Sequence, residues 1–175
     1  MALLRRGLLE GRGIVTVGVS AGVRQELVEL GARVEELVAE PGFGEEEEQV
    51  GQWAGERAPL HTVVYAARAG EETDAVWVAV REVAVGALIP GDGPGKVVLI
   101  GPAPGSSGAE ALRAALENLA RTLSIEWARY QVTVVAVAPG AGTDDAALAQ
   151  LVAFLCSPAG EYLSGCRLEL RAADH

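Results

Sequence analysis

Residues Ala114–Gly140 read AALENLARTLSIEWARYQVTVVAVAPG, and this stretch decides the fold. Leu112, Leu116, Leu119, Leu123 and Trp127 recur at spacings of four, three, four and four, which lays one apolar stripe along a helix. Small Ala111 and Ala115 flank the stripe, so a helix over Gly108–Arg129 is predicted. Val132–Val137 then supplies a β-branched run closed by Pro139-Gly140, the pattern of a strand buried on both faces. A long amphipathic helix feeding such a strand is the repeating unit of an α/β fold.

Working outward, the same alternation recurs. Gly13–Val17 is a short apolar run ending at Gly18, and Gly22–Leu30 carries Val23, Leu27 and Leu30 at helical spacing. Gly31 supplies a stop and Arg33–Val38 a weaker strand, completing one βαβ unit. Strands are also expected at Thr62–Ala67, Lys96–Ile100 and Cys166–Leu170, with helices over Thr73–Leu88 and Asp145–Leu155. The turn Pro90-Gly91-Asp92-Gly93-Pro94-Gly95 separates the helix over 73–88 from the strand that follows. Glu45-Glu46-Glu47-Glu48, within the polar stretch Pro41–Pro59, reads as a solvated helix face. With no repeat or linker, residues 1–175 form one domain of about six strands.

The chain has 14 basic and 24 acidic residues, a formal charge of −10. Such a surface repels phosphate backbones and anionic membranes, which argues against nucleic-acid and membrane partners. No apolar run has the length of a signal peptide or a membrane span, so a cytoplasmic location is expected. Cys156 and Cys166 read as reduced core thiols. His61 and His175 are too few and too isolated for a metal site, and His61 reads as structural.

The order of these pieces resembles the short-chain dehydrogenase/reductase family along almost the whole chain. LLEGRGIVTVG (Leu8–Gly18) is similar to the family's first strand, and LHTVVYAA (Leu60–Ala67) to the strand that ends in Asn-Asn-Ala-Gly. Residues 114–140 resemble its interface helix, next strand and Pro-Gly turn, and LVAFLCSPAGEYLSGCRLEL (Leu151–Leu170) its last helix and strand. The resemblance implies a Rossmann-like, doubly wound parallel sheet in an α/β/α sandwich, with a dinucleotide beyond the carboxyl ends of the strands. It also implies abbreviation. No strand-like run lies between Val38 and Leu60, so the family's third strand is expected to be lost, and Thr143-Asp144 leads straight into the final helix where a substrate-covering segment belongs.

The family's proton chemistry uses Tyr-x-x-x-Lys, whose spacing sets both groups on one helix face. Those positions carry Ala109 and Arg113, and Arg113 is expected on the helix surface. The family serine falls on Gly101 or Pro102, neither with a hydroxyl, while Ser106 or Ser107 is expected to cap the helix. No asparagine occurs in Thr73–Leu88. The phosphate loop Thr-Gly-x-x-x-Gly-x-Gly becomes Val17-Gly18-Val19-Ser20-Ala21-Gly22-Val23-Arg24, with Arg24 at the third glycine. No acid is expected at the end of the second strand, where Val38 and Ala39 lie, with Glu40 nearby only if the register slips. The Asn-Asn-Ala-Gly turn reads Tyr65-Ala66-Ala67-Arg68.

The resemblance assigns any surviving NAD(P) site to Gly18, Ser20, Gly22, Arg24, Ala66, Pro139 and Gly140; no catalytic residue and no metal ligand is assigned. Three readings follow. The first is a non-catalytic subunit or scaffold, as a homo-oligomer or paired with a full-length family member through Gly108–Arg129 and the C-terminal helix and strand. The second is an NAD(P)-dependent oxidoreductase using another group, such as Tyr65 or Tyr130. The third is a nucleotide- or anion-binding module around Gly18, Arg24 and Arg68.

Overall fold

The computed structural model describes residues 4–38, 45–91 and 93–171. Six parallel strands form one sheet: β1 (Gly13–Val17), β2 (Arg33–Glu36), β3 (Thr62–Ala66), β4 (Gly95–Ile100), β5 (Val132–Pro139) and β6 (Cys166–Leu170). Their spatial order is β2-β1-β3-β4-β5-β6. Between β2 and β3 the described residues hold a helix and no strand. Strand order reverses at β1, between β2 and β3, which opens a crevice at their carboxyl ends.

The central strands are almost wholly buried because helices cover both faces. On one face lie α1 (Ala21–Glu29) and α5 (Asp145–Cys156), packed against each other over Ile14, Val64, Val98 and Val135. The other face carries α2 (Glu45–Glu56), α3 (Thr73–Val83) and α4 (Ala109–Glu126) over Val15, Val63, Val97 and Val134. Leu112, Leu116, Leu123 and Trp127 bury the α4 stripe, with Ala120 at its centre, and Trp127 stacks on Trp77 at 6.0 Å.

Several boundaries differ from expectation. The segment read as one helix over 73–88 changes to a π-helical turn at Ala84–Leu88, where Gly86 lies against the backbone of Gly51 in α2. No serine side chain caps α4. Its N-cap is Gly108 at φ 76°, a left-handed position that suits glycine, and Ser106 contributes only its carbonyl to the Ala109 N–H. β2 ends at Glu36 rather than Val38, and Val38 is 80% exposed. Ala39, Glu40, Asp92 and His175 lie outside the described residues, as do the side chains of Glu45–Glu47. No described helix is long and apolar enough to cross a membrane.

Candidate functional site

The carboxyl edge of the sheet gathers most of the residues singled out above, but in three separate settings.

The first is the gap between the ends of β4 and β5, where Ala109 is fully buried and carries no ionisable group. Arg113, one turn further along α4, is not the surface residue its sequence suggests. Its side chain is 10% exposed and reaches back across the strand ends. Nη1 donates to the Pro102 carbonyl at 2.9 Å and to the Pro139 carbonyl at 2.7 Å. Nε is buried without a hydrogen bond, 3.6 Å from the Glu110 carboxylate. A Cβ added at Gly101 would lie 3.1 Å from Arg113 Cγ. The missing hydroxyl at 101 and the arginine at 113 are therefore complementary, since the arginine stem occupies the space a side chain at 101 would need. The guanidinium satisfies the two carbonyls and occupies the gap, and an arginine does not give up a proton near neutral pH as a phenol or ammonium acid–base pair would.

The second setting is the amino end of α1. Gly18 turns at φ 65°, and a Cβ on it would come within 2.7 Å of the Ala66 carbonyl, so the tight strand-to-helix turn needs glycine. Ser20 caps α1 by accepting from the Val23 N–H at 3.2 Å. The same hydroxyl donates to Asp145 Oδ1 at 2.8 Å, joining α1 to the first turn of α5. A Cβ on Gly22 would collide with the Asp145 carboxylate. A helix N-terminus attracts anions through its free N–H groups and its dipole, and here the attracted anion is a residue of the chain itself. Sequence reasoning missed Asp145, because 125 residues separate it from Ser20.

The third setting is a crevice of about 700 Å³ beside β1, bounded by the ends of β2 and β3. Gly18 and Val19 form one wall, Glu36 and Leu37 another, and Tyr65 and Arg68 the third. Because β2 stops at Glu36, an acid does stand at its carboxyl end, correcting the expectation of none. Arg24 does not obstruct the crevice. It turns toward β2, donating to Glu36 Oε1 and to the Val19 carbonyl, both at 2.8 Å. The Tyr65 hydroxyl donates to Glu71 Oε1 at 2.6 Å, and the other carboxylate oxygen of Glu71 takes the Arg68 N–H at 2.8 Å. Tyr65 thus belongs to this crevice and not to the gap at β4 and β5. Tyr130 precedes β5 at the opposite, amino edge of the sheet.

Pro139 and Gly140 lie with the Arg113 gap, Ser20 and Gly22 with Asp145, and Gly18, Ala66 and Arg24 at or beside the crevice wall. The residues therefore fit one part of a dinucleotide and not the rest. Glu36 is an acid at the end of β2, whereas Asp145 lies against Gly22 at the start of α1 and Arg113 spans the ends of β4 and β5. No described group of three His, Cys, Asp or Glu side chains is placed to hold a metal.

No protein-family model and no curated protein matches the chain. Solved structures do. The citronellol catabolism dehydrogenase AtuB of Pseudomonas aeruginosa PAO1 superposes with a TM-score of 0.79 at 21% identity, covering 97% of both chains. RhlG of the same species, in an active-site complex with NADP, gives 0.79 at 19%, covering 95% of this chain and 98% of its own. A short chain dehydrogenase from Mycobacterium smegmatis gives 0.78 at 19%, covering 97% and 96%. The chain has the Rossmann-like fold of these dehydrogenases.

Proposed function

We propose that the chain is a short-chain dehydrogenase/reductase-like protein that has lost hydride-transfer chemistry and serves as a non-catalytic subunit. The observation that carries this reading is Arg113. With its guanidinium bound to the Pro102 and Pro139 carbonyls and its stem against Gly101, the reaction centre of the fold is occupied by structure. Buried Ala109 leaves no phenol to exchange a proton. The direct test is to mix the purified protein with NADH or NADPH and a panel of aldehydes and ketones. Nicotinamide absorbance is expected to stay constant, and steady turnover would overturn the reading.

The subunit role is supported by what the helices leave outside. Ala111 and Ala114 are exposed on α4 and lead to Ile125, which is 78% exposed. Arg167 of β6 donates to Glu117 of α4 at 2.8 Å, so the helix and the edge strand present one continuous surface. Tyr162, between α5 and β6, is 93% exposed. Small and apolar side chains left in water beside a sheet edge favour association. Light scattering on the protein alone and mixed with a full-length short-chain dehydrogenase tests this. A monomer in both samples would refute the subunit role without touching the loss of chemistry.

A further inference from the structure

We propose that the cleft at the amino edge of the sheet binds a small monocarboxylate with an apolar body, its carboxylate held by Arg12 and His61. The cleft lies at the end of the sheet opposite Arg113, so the site is separate from the reaction centre of the fold.

Three stretches of chain meet where the strands begin. Arg12 immediately precedes β1, His61 precedes β3, and Pro94 precedes β4, while Gly86 and Ala87 come from the π-helical turn. The cleft has a volume of about 640 Å³, room for a ligand well beyond the size of a simple ion. Pro59, Leu60, Ala87, Pro90 and Pro94 give it apolar walls. Proline fixes φ, so these walls hold their shape without a ligand and little chain entropy is lost on binding.

Two side chains supply the polar groups, and both are donors. His61 Nδ1 accepts the Gly13 N–H at 3.0 Å, so the neutral ring carries its proton on Nε2, on the side away from β1. No described residue accepts from that Nε2–H. Arg12 Nη2 donates to Glu161 Oε1 at 2.9 Å, which holds the guanidinium in place while its Nε and Nη1 have no side-chain or carbonyl partner among the described residues. The Arg12 side chain is only 18% exposed, and a charged hydrogen bond made there is screened less than one on open surface. In a chain of formal charge −10, the described lining of this cleft includes no acid. Burial, then Arg12 and Arg33, lowers the pKa of His61, and the positive field that disfavours a proton there favours an added anion. Glu161 on Arg12 and Glu35 on Arg33 moderate that field. One shared guanidinium and one neutral N–H suit the single charge of a carboxylate better than the double charge of a phosphate monoester.

Calorimetric titration of the intact chain with naphthylacetate, naphthylacetamide and acetate tests both halves of the site. Naphthylacetate is expected to bind at least about tenfold more tightly than the amide, which lacks the charge, and than acetate, which lacks the body. Its addition is also expected to shift the His61 ring resonances, assigned by their loss in His61→Asn. Arg12→Gln is expected to erase the preference for the acid over the amide. Gly93→Leu is expected to weaken both naphthyl ligands, because a Cβ at Gly93 meets no atom within 4 Å and the added side chain can fill the cleft. Matching melting curves check that the variants fold. Equal binding of acid and amide, no binding of naphthylacetate, an acid preference that survives Arg12→Gln, or a His61 ring that does not respond overturns the proposal.

Discussion

Arg113 on α4 bonds the Pro139 carbonyl at 2.7 Å, tying the helix that begins after β4 to the end of β5. A second bond to Pro102, at 2.9 Å, makes one guanidinium the clasp for both strand ends. Arg113→Met keeps most of the stem but leaves both carbonyls without a donor. A loss of about 1–3 kcal/mol is expected, read by urea unfolding. Arg113→Lys should recover only part of that loss, because both bonds come from Nη1 at the far end of the guanidinium, one bond beyond the reach of the shorter lysine side chain. A lysine variant as stable as the parent would show that charge alone suffices.

Gly86 faces Gly51 across the contact of the π-helical turn with α2, with no room for a Cβ. Gly86→Ala must push backbone against backbone, which costs about 1–3 kcal/mol in a packed site. Gly70→Ala is a control of another kind. It meets no atom within 4 Å, but its φ of 82° adds strain. Thermal melts of the two variants separate crowding from backbone strain. If Gly86→Ala melts with the parent, the two helices can separate at no cost.

Much of the fold is legible in the sequence, and the failures share a cause. Gly13–Val17 and Cys166–Leu170 coincide with β1 and β6, and the Leu112–Trp127 stripe fixes α4, because burial of short local runs writes a local pattern. At β2 that pattern misleads. Leu37 and Val38 extend the apolar run, yet the ladder stops at Glu36, and the acid that completes the crevice is displaced by two residues. Arg113 reads as a surface cation because nothing near it in sequence shows that Pro102 and Pro139 need a donor. Lys96 is hidden in the same way. It sits in an apolar strand and is 3% exposed, its ammonium donating to the carbonyls of Gly160 and Leu163.

The two cysteines should differ sharply in reactivity. Cys156 is fully buried, and burial pushes its thiol up to about 12, so almost no thiolate forms at neutral pH. Cys166 is only partly buried. An aromatic disulfide reagent is expected to modify Cys166 alone in the folded protein and both thiols after denaturation. Peptide mass mapping reads the sites. Rapid labelling of Cys156 under native conditions would mean that α5 opens readily.

His61 should make the protein sensitive to acid. Its Nδ1 accepts the Gly13 N–H at 3.0 Å at the start of β1, a bond that only the unprotonated nitrogen can make. Burial, then the nearby Arg12 and Arg33 guanidiniums, hold its pKa below the ordinary 6.5. The unfolded chain therefore binds the proton more readily than the folded one. Stability is full above 6.5 and declines as pH falls through the ordinary value toward the lowered one. His61→Asn removes the titrating group while keeping a polar side chain. Urea unfolding of parent and variant on either side of pH 6.5 gives the comparison. The parent's advantage should shrink or reverse on the acid side, and an advantage independent of pH would show that His61 keeps its charge state on folding.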